Sequence, residues 1–152
     1  MTLKEIKKAV NSALKERYPD MKIYGADTVE GYTRPSFFVY ITQTFSESTK
    51  NAFHKNVEVE IDFIQKNTNE AEGMAFFAAM EEMFGQKLII GRRSLNTSNM
   101  DLNFQGENAN IPVCQFDVEF WDAIPRTDSS KDSSKLMEEL KISQEVKQGD
   151  YQ

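Results

Sequence analysis

The side chains able to do chemistry in this chain are few, and they stand apart. Cys114 and His54 are its whole supply of thiol and imidazole. Nucleophilic catalysis by such a pair needs the two within hydrogen-bonding reach. Alternation along their segments puts Cys114 on an apolar face and His54 on a polar one. Cys114 therefore reads as a small buried hydrophobe. A zinc site wants three or four Cys or His ligands at short spacing, which one of each cannot supply. Neither a glycine-rich phosphate loop nor a nucleophile elbow occurs. The expectation is a protein without catalytic residues, metal site or cofactor, and so not an enzyme.

Three charged or aromatic features remain. Glu58, Glu60 and Asp62 recur at every second residue, which on a strand sets them side by side about 7 Å apart. Such a row could chelate a divalent cation, but no calcium-loop spacing accompanies it. A solvated or channel-facing sheet surface is the plainer reading, and a salt-bridged subunit interface is the third. Arg92-Arg93 is the one adjacent arginine pair in the chain. It reads as a bend with solvated charges, or as one side of an inter-subunit ion pair. Trp121 stands on the polar side of its segment, where it either anchors an interface or covers the sheet end.

These residues must be placed by the elements around them. Thr2 to Tyr18 predicts a helix, with Thr2 and Glu5 as capping box and Leu3, Ile6, Val10, Ala13, Leu14 and Tyr18 as its stripe. A short strand, Lys22 to Gly25, precedes a loop that reaches Ser36. Phe37 to Phe45 is a strand apolar on both faces at its start, which suits a central position. Phe53 to Ile64 alternates cleanly, with Phe53, Val57, Val59, Ile61 and Phe63 opposite His54, Glu58, Glu60 and Asp62. Asn69 to Phe84 reads as a second helix. Its expected features are an Asn69–Glu72 capping box, a stripe of Met74, Phe77, Met80 or Glu81, and Phe84, and a left-handed Gly85 at its end.

Lys87 to Ile90, the segment around Met100 to Gln105, and Val113 to Ile124 complete the strands, the last two as a hairpin. In the last strand Cys114, Phe116, Val118 and Phe120 should face inward, with Gln115, Asp117, Glu119 and Trp121 outward. Helix, three strands, helix, three strands predicts an α+β fold: a mainly antiparallel sheet with two helices packed on one face. After Pro125 the composition turns polar. The expected division is a domain over 1–125 and an extension over 126–152, with a linker to Lys135 and a weak helix over Leu136 to Val146.

The totals exclude whole classes of function. The chain has 152 residues and a formal net charge of -6, with a mean hydropathy of -0.56. Holding nucleic acid requires neutralising phosphates, and a carboxylate excess works against that. No run approaches the roughly 18 apolar residues of a membrane span, and no signal-peptide pattern opens the chain. A single cysteine suits a reducing cytoplasm.

One stretch is more specific than a generic α+β pattern. In Gly31-Tyr32-Thr33-Arg34-Pro35-Ser36-Phe37-Phe38-Val39, Pro35 fixes its own φ and biases Arg34 toward extended geometry. The Phe pair anchors both faces, and Arg34 is left at the sheet rim with its guanidinium available to a partner carboxylate. This run resembles the loop-to-strand segment of the phage tail terminator family, found in contractile-tailed phages, prophages and phage-tail-like bacteriocins. The element order matches that family from about Leu3 to Ile124.

The resemblance implies a structural assembly protein: a ring subunit, usually six per ring, closing the head-proximal end of a tail. Its implied partners are copies of itself, the tail tube protein, the sheath protein and a head–tail connector or collar protein. DNA would pass through the ring without specific binding. The implied location is the virion or particle, after assembly in the bacterial host cytoplasm. A neck, head-completion or baseplate protein of the same particle is the alternative, and a small enzyme or binding domain the remote one. Arg34, Glu58, Glu60, Asp62, Arg92, Arg93 and Trp121 are the candidate interface residues.

Overall fold

The computed structural model describes residues 1–125, and Met1–Asp122 form a compact unit. The expected extension over 126–152, with its linker and weak helix, lies outside the described residues. The order is α1 (Leu3–Arg17), β1 (Lys22–Tyr24), β2 (Ser36–Ser48), β3 (Ala52–Ile64), α2 (Glu70–Phe84), β4 (Lys87–Ile90), β5 (Arg93–Gln105) and β6 (Ile111–Ala123). The strands form one six-stranded sheet in the order β1-β2-β3-β6-β5-β4. Pairing is antiparallel for β2–β3, β4–β5 and β5–β6, and parallel for β1–β2. The fold is α+β, as the element pattern predicted.

The first helix forms as its sequence dictates. Thr2 Oγ1 accepts from the Glu5 amide and Glu5 Oε2 accepts from the Thr2 amide, so both arms of the capping box are made. Its buried stripe is Ile6, Val10 and Leu14, which lies against β2 and reaches β4 at the far edge, so the sheet curls around the helix. The same core takes in Phe37 and Val39 of β2, Val57, Val59 and Ile61 of β3, and Cys114, Phe116, Val118 and Phe120 of β6. Phe76, Met80 and Phe84 of α2 join it, so both helices cover one face of the sheet.

The second helix departs from expectation in three ways. Its buried stripe is Gly73, Phe76, Ala79, Met80 and Phe84, while Met74 is exposed. The stripe is rotated because Gly73 lets the helix approach Phe104 and Pro112 closely; a Cβ there would sit 2.7 Å from the Phe104 ring. The cap is also different. Asn69 accepts from the Glu72 amide, but the returning arm comes from Gln65, whose buried side chain brackets the backbone N–H and C=O of Asn69. Gly85 has φ -64 and stays right-handed. The helix end is held by Thr97, which donates its hydroxyl proton to the Phe84 carbonyl.

The β5 strand begins at Arg93, earlier than its composition suggests, because Arg93–Asn96 pair with β4. Gly91 at φ +60 makes the turn between them. β2 is an interior strand, as its two apolar faces require. Beyond Ile41 it runs on as an exposed arm with β3, and a bulge between Gln43 and Phe45 re-aims its side chains.

Candidate functional site

The helices leave the other face of the sheet open, and most of the residues singled out above stand on it. Register places Phe38, Tyr40 and Thr42 of β2 opposite Asp62, Glu60 and Glu58 of β3. Gln115 of β6 donates to Glu60 Oε1 at 2.7 Å. His54 pairs with Glu119, so β3 and β6 bring their polar sides together along their length. The central strands β3, β6 and β5 thus carry Glu58, Glu60, Asp62, Asp117, Glu119 and Asp101 on this face, with no lysine or arginine among them.

The Asp62 end of the row is enclosed by aromatic rings. Phe38 packs against Tyr24, Tyr32 and Tyr40, with centroids 5.4, 5.1 and 6.3 Å away. The expectation of a freely solvated row fails here. Glu58, Glu60 and Asp62 are each half-buried, and Asp62 Oδ1 is sealed from water without a hydrogen-bond partner among the described residues. Burial, reinforced by the Glu60 charge, pushes the Asp62 carboxyl up to about 7. Arg34 stands at the rim, exposed, and is joined to Pro35 by a cis peptide. Its guanidinium donates to the Gln65 carbonyl and the Tyr32 hydroxyl at 3.5 and 3.4 Å and lies over the Tyr32 ring.

At the other end, Trp121 stacks flat on His54 at 4.3 Å, and Phe45 meets the imidazole edge-on at 5.4 Å. Trp121 is still 53% exposed and Phe45 45%. These rings form an apolar platform whose outer surface is exposed among the described residues.

The arginine pair does not join this face. Arg93 points to the helix side, where it binds Asp122 Oδ1 at 2.6 Å and donates to the Trp121 carbonyl. Asp122 also meets the Met1 amino group at 2.9 Å. Burial opposes ionisation of Asp122, but its Arg93 and Met1 hydrogen bonds outweigh that and hold its carboxyl below the usual range. Arg93 therefore closes a corner of the fold. Arg92 is exposed in the β4–β5 turn, away from the row.

Cys114 and His54 fall on opposite faces, and burial pushes the Cys114 thiol up to about 12, out of reach of nucleophilic use at neutral pH. Among the described residues, no group of three or more His, Cys, Asp or Glu side chains is placed to hold a metal ion. What the open face can do is recognise: it offers a carboxylate row, an aromatic platform and a half-desolvated acid. His54, Gln115 and the Tyr24–Tyr32–Phe38–Tyr40 cluster belong to it, although residue type alone did not mark them. Alternation put Gln115, Asp117 and Glu119 outward; only the β3–β6 adjacency shows that they extend the row.

The chain matches the model of the family described as phage tail terminator protein over residues 5–130. It belongs to that family, one of structural proteins that associate with other tail or virion proteins. No curated protein matches the chain. Among solved structures, one chain shares 13% identity at a TM-score of 0.45, with 84% of this chain and 99% of that one covered. A chain of the structure titled "Virion of native gene transfer agent (GTA) particle" shares 16% identity at a TM-score of 0.42, over 78% of this chain and 90% of that one.

Proposed function

We propose that this protein is the tail terminator of a contractile, phage-derived particle. Six copies form a ring on the head-proximal end of the tail tube, stop its polymerisation, meet the last sheath ring, and present the surface that the head or collar joins. The family match over residues 5–130 supports the terminating role at the centre of this reading. The open face supports it physically. A half-buried acidic row beside an exposed Trp121 offers charge and apolar area together, the combination a protein–protein contact uses. Arg34, Glu58, Glu60, Asp62 and Trp121 are the interface residues on or beside that face, with Arg92 available at the β4–β5 turn. Arg93 contributes by fixing the strand end that carries Trp121.

The test is tail length. Producing cells that lack this chain should release tubes of uncontrolled length or none at all, and Arg34→Glu should shift lengths the same way while the purified subunit keeps its melting temperature. Tubes of wild-type length without the chain would rule out termination as its role.

A further inference from the structure

The subunit's charge is divided between two surfaces that the sequence totals conceal. Lys4, Lys7, Lys8 and Lys15 line one shallow depression on α1, together with Asn11 and Ser12. None of these ammonium groups lies within ion-pair distance of a carboxylate among the described residues. Lys15 donates to the Met21 carbonyl at 2.7 Å, which orients its charge without neutralising it. Across the sheet, three of the open face's six carboxylates accept from neutral donors: Glu60 from Gln115, Asp117 from Asn99 and Asp101 from Asn103. Among the described residues, Glu119 alone of the six pairs with a titratable basic side chain, His54. Each face is thus dominated by one sign of charge.

We propose that α1 of one copy docks its lysine face onto the acidic open face of the next copy, forming the repeated contact of the ring. This rests on the ring reading above. Complementary potentials set register and partner choice at interfaces, and these two faces complement one another in sign. They lie on opposite sides of the sheet, because the Ile6–Val10–Leu14 stripe turns the other side of α1 away from it. A patch meeting a different patch makes a heterologous contact, the kind that builds rings rather than two-fold dimers. The exposed Trp121 lies on the receiving face and supplies apolar area beside the charges. Asp62, whose Oδ1 has no partner among the described residues, gains a cation there.

Charge exchange tests this directly. Three variants are made in producing cells: Lys4→Glu with Lys8→Glu, Glu58→Lys with Glu119→Lys, and all four together. Copies of the subunit per purified particle are counted by quantitative mass spectrometry, and melting temperatures confirm that each purified variant folds. Each double variant should lose about ten-fold or more in copies per particle, equivalent to at least one lost contact of about 1.4 kcal/mol. The quadruple variant should recover most of that loss. Milder Lys→Gln and Glu→Gln versions keep the question open to measurement if a reversal unfolds the chain, since each should then make retention more sensitive to salt. A quadruple variant no better than its parents would overturn the proposal. So would a loss caused by only one of the two faces, which would assign the lysines to another tail protein or to DNA. Failed rescue alongside uncontrolled tube lengths in the deletion strain would remove this interface and leave the terminator reading intact. Rescue alongside wild-type lengths in that strain would do the reverse.

Discussion

The two sides of β3 make an instructive pair. Val57, Val59 and Ile61 are fully buried under the helices, while Glu58, Glu60 and Asp62, one residue along in each case, form the half-buried row opposite. The backbone, strand neighbours and register are shared, so the difference lies only in what covers each side. The covered side stabilises the subunit by removing apolar area from water. The open side adds little to folding and, at Asp62, opposes it, since a carboxylate is held where its charge is poorly solvated. Residues that cost a lone subunit stability become intelligible when the completed structure contains a neighbour.

That contrast can be broken, beginning with the largest effect. Phe37 is fully buried against Tyr18, Phe63 and Phe76. Phe37→Ala should cost about 3–5 kcal/mol by urea unfolding, enough to threaten a single domain. A cost below about 1 kcal/mol would mean that the covered side is not the core. Gly73→Ala should cost about 1–3 kcal/mol by driving α2 off Phe104 and Pro112. A neutral or stabilising result would show that the close approach is slack.

Asp62→Asn sharpens the comparison through its sign. An acid whose pKa is raised on folding destabilises the folded state once it ionises. The penalty is absent below the unfolded value near 4 and complete above about 7. Wild-type stability should therefore fall as pH rises through that window, and the variant should flatten the fall. At pH 8 the variant should be more stable, by on the order of 1 kcal/mol after allowing for partial solvent access. Equal stability of the two proteins at pH 8 would show that Asp62 is well solvated. The smallest effect belongs to Trp121→Ala, which should change folding stability by about 0.5 kcal/mol or less, the range of exposed substitutions. A loss of several kcal/mol would make the His54–Trp121 stack part of the core.

The sequence was legible where local and tertiary demands agreed. The Thr2–Glu5 capping box, the β3 alternation and the Lys87–Ile90 strand could be read because each is specified within a few residues. The second helix could not be phased. Met74, Phe76, Phe77, Met80, Met83 and Phe84 spread apolar area around it, and the close contact at Gly73 selects which side is buried. β5 is longer than its composition suggests because Arg93–Ser98 has a single apolar residue, Leu95, and is made a strand by pairing with β4 and β6. The candidate site was legible as a row on one strand. Its completion by Gln115, Asp117 and Glu119 depends on β3 lying beside β6, an adjacency between distant segments that no local pattern encodes. The Arg92-Arg93 pair looked like one unit, but Arg92 lies in the β4–β5 turn while Arg93 opens β5 and is held by Asp122.

The central claim is that the covered side folds this subunit and the open side assembles it. One measurement tests that most directly: copies per particle of the triple variant Glu58→Gln, Glu60→Gln, Asp62→Asn, read beside the melting temperature of the purified protein. The account predicts a melting temperature equal to or above wild type and a loss of about ten-fold or more in copies retained. Wild-type retention by a variant whose acidic row has been neutralised would contradict it.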